Sequence, residues 1–290
     1  PDHVFPYYFY DIQAKANLDI NQKHRLTFSG FYGDDILYFD NEDKLNSYGS
    51  DYSHYERTIF DWKWGNKTTS LSWRWLINPA LIMKTFVADS RYRFHIDMDN
   101  WGNRSSYNYG NKQYTDQKNG FDIFDIIEDN TLETEFTWMA SEKHKITSGL
   151  QYKKIGFDLG MEFRWDEYQE LRLGSGEVEV LENIDEYARP LDIRDQTVEQ
   201  SVFVEDTWKV NKRLTLQPGL RITYYNLHKK VYLDPRVGGK YKLSDNLAFK
   251  INLGRYHQFL TIVNPQDVNF HFVDIWMGLR ENLTASYADH

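Results

Sequence analysis

The feature that most constrains this chain is a strict two-residue alternation of apolar and polar side chains, sustained over stretches too long for an ordinary strand. From Tyr10 to Ile20, the residues Tyr10, Ile12, Ala14, Ala16, Leu18 and Ile20 alternate with Asp11, Gln13, Lys15, Asn17 and Asp19. A period of two sends successive side chains to opposite faces of a strand, so one face is apolar and the other polar. After Asn21-Gln22-Lys23-His24 the pattern resumes with Leu26, Phe28 and Tyr32 against Arg25, Thr27 and Ser29, which predicts a hairpin over residues 7–33. The unit recurs. Leu71, Trp73 and Trp75 alternate with Ser70, Ser72 and Arg74, and the chain turns at Asn78-Pro79-Ala80. Phe86, Ala88, Tyr92, Phe94, Ile96 and Met98 then lie opposite Arg91, Arg93, His95 and Asp97. Further hairpins are expected to turn at 141–144, 210–213 and 244–246, giving about ten strands. No helix is predicted except a short one that residues 176–188 could hold within a loop.

Alternation alone does not distinguish a water-soluble sandwich from a barrel in lipid. Length does: alternation runs over segments such as 8–20 and 82–98, whereas sandwich strands average about 5–6 residues and bilayer-spanning strands need about 9–11. The longest apolar run is Ala80–Met83 and the mean hydropathy is −0.69, which excludes a membrane-spanning helix. Aromatic residues make up 17% of the chain and gather toward strand ends, at Tyr7–Tyr10, Phe31-Tyr32, Trp62, Trp64, Trp73, Trp75 and Tyr224-Tyr225. Such rings suit the girdles of a membrane interface. The apolar side is therefore read as facing lipid, with Trp73 outward and Arg74 toward the lumen.

The intervening stretches 34–54, 99–129 and 166–195 read as long outer loops, opposite the short turns. They carry a net charge of −15 within a total of −9, so the strands and short turns are net +6. The acidic total argues against nucleic acid as a partner. The absence of cysteine removes disulfides, thiolate metal sites and cysteine nucleophiles.

Two segments carry a resemblance. Phe203-Val204-Glu205-Asp206-Thr207-Trp208 through Leu214-Thr215-Leu216-Gln217-Pro218-Gly219-Leu220-Arg221, and Pro235-Arg236-Val237-Gly238-Gly239-Lys240-Tyr241, resemble paired strands of TonB-dependent outer-membrane transporters. The stretch from Trp64 to Tyr92 is similar to the barrels of this family in Bacteroidetes-like bacteria. The resemblance implies an all-β fold: an antiparallel transmembrane β-barrel segment, part of a 22-stranded barrel, with the plug domain absent from this sequence. Residues 1–290 are then a single barrel region truncated at both ends. It further implies a bacterial outer-membrane receptor that imports a scarce siderophore, vitamin, glycan or peptide. Its partners would be outer-membrane lipid, a plug, a surface lipoprotein, and a TonB complex contacted through a region missing here.

No cofactor, catalytic residue or metal site is predicted. The run Asp40-Asn41-Glu42-Asp43 lacks a proper calcium-loop spacing and is read as a solvated loop. Arg91, Arg93 and His95 are expected to face the lumen with Arg74, where they contact an anionic cargo or plug, or form a salt-bridge ladder on a wet wall. Two alternatives stay open at this point. One is a complete small barrel enzyme of omptin type, with Asp99 or His54 at the outer rim to activate water. The other is a passive porin.

Overall fold

A computed structural model of the chain describes residues 6–46, 52–263, 275–281 and 283–289. Ten long strands follow one another as an antiparallel meander: β1 (Tyr7–Asp19), β2 (His24–Asn46), β3 (Tyr52–Asn78), β4 (Leu81–Asn108), β5 (Asn111–Met139), β6 (His144–Arg172), β7 (Val178–Lys209), β8 (Leu214–Tyr225), β9 (Lys230–Lys242) and β10 (Ala248–Gln258). A short β13 (Ser286–Asp289) pairs with β10 as the eleventh strand of the sheet. The pair β11 (Leu260–Val263) and β12 (Ile275–Gly278) forms a separate ribbon. No described residue is helical. The five expected hairpins and their turns are all present.

Three of the short turns share one device. Asn21 Oδ1 accepts from the backbone N–H of Lys23 and His24, at 2.8 and 3.0 Å, and Asn211 Oδ1 accepts from Arg213 and Leu214, at 2.8 and 2.9 Å. Ser141 Oγ does the same for Lys143 and His144, at 3.2 and 3.1 Å. In each case a side-chain oxygen satisfies the donors that the reversing backbone leaves open.

The other ends depart from the sequence reading. The three stretches read as long loops are strand for most of their length. β4 and β5 remain paired to Asn108↔Asn111 and are joined by Tyr109 and Gly110, whose φ of 48° and 85° are those of a two-residue primed turn. Likewise β6 and β7 pair up to Arg172↔Val178, so residues 178–188 are strand, not helix. Val178 and Val180 suit a pleated surface and lie opposite Arg172 and Glu170. The alternation fades there because both faces become polar. The ladder persists because each strand has a neighbour on either side. A 29-residue strand such as β5 reaches roughly 95 Å at about 3.3 Å per residue, several times the thickness of a bilayer core.

Candidate functional site

Register fixes which side chains share a face. Leu18, Leu26, Trp73, Thr85, Thr134, Leu150, Val202, Ile222 and Leu233 lie side by side across nine strands. Around them on the same face lie Phe28, Leu71, Val87, Leu132, Tyr152, Val204, Tyr224 and Val231, all exposed. The other face at this level carries Asp19, Arg25, Arg74, Glu133, Gln151, Lys153 and Arg221. Its groups pair laterally: Arg25 Nη2 with Asp19 at 2.8 Å, Gln151 Nε2 with Glu133 at 2.6 Å, and Lys153 with Asp129 at 3.0 Å. An apolar face with none of the described residues over it, backed by a paired polar one, is the arrangement of a barrel wall with lipid outside and water inside. The apolar band begins at a ring of Trp75, Trp138 and Trp208 beside the short turns. There His24 stacks on Trp73 and Trp75, at 5.7 and 5.6 Å, and His144 stacks on Trp208 at 5.7 Å.

Above the band the two faces exchange character with no change in register. On β4 the outward side chains pass from Met83, Thr85 and Val87 to Asp89, Arg91, Arg93, His95 and Asp97. The inward ones pass from Lys84, Phe86 and Ser90 to Tyr92, Phe94, Ile96 and Met98. β3 and β6 switch at the same height, whereas β5 turns Ile123 and Phe121 inward while keeping Phe124 and Ile126 on the outer face. The result is an inner apolar cluster of Phe94, Ile96, Ile123 and Leu159, packed by Phe60, Trp62, Trp64, Phe121, Met161 and Ile193.

This placement corrects the expected phase. Phe86 to Met98 lie on the face opposite Trp73, because Trp73 registers with Thr85 and Phe86 registers with Ser72. Arg91, Arg93 and His95 accordingly sit on the outer face, above the apolar band, and only Arg74 is on the inner one. The four are not brought together. The outer three are paired across strands: Arg93 with Asp34 at 2.6 Å, lying over the Tyr32 ring at 5.2 Å, Arg91 with Glu128 at 3.4 Å, and His95 with Asp122 at 2.6 Å. They form the salt-bridge ladder, on the outside. His95, Asp97 and Asp122 each place a ligand atom within 4.8 Å of the others. Spacing along one strand cannot reveal this trio, because Asp122 arrives from β5.

The two residues considered for a protease do not meet either. His54 is on the inner face of β3, 3.5 Å from Glu56, whereas Asp99 is on the outer face of β4, 3.1 Å from Arg164. In the run at 40–43, Asp40 is taken by Arg57 at 2.6 and 2.9 Å and Glu42 by Lys44.

Two features of the inner face were not legible as a site. The ribbon β11–β12 packs on it: the Trp276 N–H donates to Asp125 Oδ2 at 3.0 Å, and the buried Tyr225 hydroxyl donates to the Leu279 carbonyl at 3.1 Å while its ring stacks on Phe259 at 4.7 Å. Asp125 lies above the lipid band with no exposed surface, and burial pushes its carboxyl up to about 6. Higher still, where β3 to β6 approach their outer tips, the inner face encloses a vestibule of about 620 Å³ lined by residues that include Tyr52, His54, Glu56, Asn100, Arg104 and Gln117. Asn100 Nδ2 donates to Glu56 and Thr58, both at 2.9 Å.

The profile of the family described as TonB dependent receptor-like, beta-barrel, matches residues 6–268. The chain belongs to the TonB-dependent receptor β-barrel family. This places it in the bacterial outer membrane, and the apolar band is where a TonB-dependent barrel meets lipid. Among solved structures, a double mutant of the ferric enterobactin receptor PfeA from Pseudomonas aeruginosa is similar over 98% of this chain and 50% of its own, at 9% identity and a TM-score of 0.41. The outer membrane transporter YddB from Escherichia coli is similar over 87% and 38%, at 11% identity and 0.37. The RagAB peptide transporter is similar over 91% and 41%, at 9% identity and 0.34. The chain thus spans half or less of the length of these three structures. A search of curated protein sequences found no match.

Proposed function

We propose that the protein is the barrel portion of a receptor that captures a scarce nutrient at the cell surface and imports it through a gated lumen, with energy relayed by TonB. The observation that carries this reading is the inner face of a family member's wall. That face has a vestibule at the outer tips, an apolar collar of Phe94, Ile96, Ile123 and Leu159 beneath it, and a polar zone at membrane level. Cargo entering from outside meets the vestibule first. A plug would rest against the polar zone, and of the four residues singled out from sequence we assign the plug contact to Arg74, which lies on the inner face beside Asp19 and Arg25. The role is transport, with no chemical change to the cargo.

The test is import in the native organism. Deleting the gene should abolish uptake of one limiting nutrient, and collapsing the proton gradient or removing TonB in the intact strain should do the same. Uptake that survives both treatments, as through a passive pore, would sink the reading.

A further inference from the structure

The chemistry of the vestibule narrows the cargo. Over residues 52–67 of β3, 91–108 of β4, 111–126 of β5 and 156–172 of β6 there are ten lysines and arginines. Register puts nine of them on the outer face and leaves Arg104 alone inside. The nine outer cations include Arg57, Lys63, Arg91, Arg93, Lys118 and Arg164. Inside, Arg104 is outnumbered by Glu56 and Glu167. A cleft whose walls carry one sign of charge concentrates ligands of the other. This one does not favour an anionic ferric chelate or an acidic glycan.

What the vestibule offers instead is paired donors and acceptors. Gln113, Gln117 and Gln169 line it, and each primary amide presents both. Glu56 and Glu167 add acceptors, and Gln169 Nε2 already donates to Glu167 at 2.5 Å. His54 Nδ1 is buried without a hydrogen-bond partner among the described residues. Aromatic rings border this polar set: Trp165 and Phe163 on the inner face of β6 are 42% and 37% exposed, and Tyr52 is 38% exposed. An exposed ring face is weakly negative and accepts the slightly positive C–H face of a flat saturated ring.

A peptide would dock most economically by pairing its backbone with an open strand edge. None is offered here, because β4 and β5 are each laddered on both sides as far as the vestibule. A neutral polyhydroxylated chain needs no such edge. Its hydroxyls each donate and accept, and its ring faces stack.

We infer that the vestibule binds an uncharged oligosaccharide, held by the amides of β5 and β6 and stacked on Trp165. This rests on the receptor reading above and names its cargo class. The experiment uses the complete protein purified from its own outer membrane, presented to an array of neutral, uronic-acid-bearing and sulfated oligosaccharides, random heptapeptides and a ferric catecholate complex. A neutral oligosaccharide should be retained. For that ligand, Gln117→Leu with Gln169→Leu should raise Kd at least tenfold. Trp165→Ala should do likewise, with Trp165→Phe restoring most of the affinity, and Arg104→Gln should change it less than threefold. Heat-modifiable migration of each variant establishes that its barrel is folded. Retention only of acidic glycans, peptides or the ferric complex, or of nothing, overturns the inference, as does loss of binding in Arg104→Gln alone. The two readings fail separately. Energised import of a peptide or ferric cargo would leave the receptor standing and remove the sugar. Tight sugar binding with import indifferent to TonB would do the reverse.

Discussion

Leu150 gives the sharpest test of which side of the wall meets lipid. It sits on the outer face of β6, midway between His144 at the turn and Lys154 above the band. It lies between Thr134 of β5 and Val202 of β7 and is 59% exposed. In water, replacing an exposed leucine on a sheet surface by arginine changes stability by about 0.5 kcal/mol or less. At a bilayer midplane the same change costs about 2–4 kcal/mol, because the guanidinium must be desolvated or must drag water and headgroups inward. At about 1.4 kcal/mol per decade, that reduces the folded-to-unfolded ratio by roughly 30- to 1,000-fold. The assay is denaturant unfolding of the full-length protein reconstituted in phosphatidylcholine vesicles, read by tryptophan fluorescence and heat-modifiable migration. Lys154→Leu, four residues along the same face but above the band, is the control and should shift the midpoint little. A Leu150→Arg cost under 0.5 kcal/mol, or equal costs for the two variants, would refute the assignment of outer face to lipid. Trp73 is a weaker probe. Because the strands of a barrel are tilted, the cross-strand row that holds Leu150 runs obliquely and brings Trp73, beside His24, down to the rim, where the penalty for a charge falls to about 0–1 kcal/mol.

Further outcomes are expected from the same preparation. Ile123→Ala removes a side chain only 2% exposed in the inner apolar cluster and should cost about 2–5 kcal/mol. The stabilities of Ile123→Ala and Leu159→Ala should be non-additive, since both belong to that cluster. Asn211→Ala leaves two turn donors without their acceptor and should cost about 0.5–1.5 kcal/mol by equilibrium unfolding. Asp125 supplies a pH dependence. Its carboxyl is raised from the usual range near 4 to about 6 in the folded protein, so its contribution is fully present below pH 4 and is lost as pH rises through 6. The stability of Asp125→Asn relative to the parent should therefore increase between pH 4 and 7 and then level off, as followed by unfolding midpoints. A difference that stays flat across that range would exclude a buried, ionising Asp125.

Alternation made the hairpins and their turns readable, because four of the five short turns are written locally as Asn or Ser with its oxygen on a following amide. The extensions were harder. In 99–129 neither face stays apolar, so a periodicity argument loses its signal even though pairing continues to Tyr109-Gly110. The phase error had the same root. Met83 and Val87 are odd-numbered, while Phe94 and Ile96 are even-numbered. A reader who assumes one lipid-facing side per strand carries the wrong parity upward and turns Arg91, Arg93 and His95 inward. The signal was present in β6 as well, where apolar Ile146, Leu150 and Tyr152 give way to Ile155, Phe157, Leu159 and Met161. What no single strand reveals is the convergence of β3 to β6 on one cavity, since Gln117 and Gln169 acquire a common role only through pairing.

The exchange of faces without a break in register also sets a rule for how such walls vary in length. Inserting or deleting one residue below the exchange level would turn every side chain above it, sending the arginines inward and the phenylalanines out to water. Inserting two would leave both belts in phase and merely carry the vestibule outward by about 7 Å. Length polymorphism in related walls should therefore come in even steps within β3 to β6 and be free of parity only at the tips, around Tyr109-Gly110 and Gly174–Gly176.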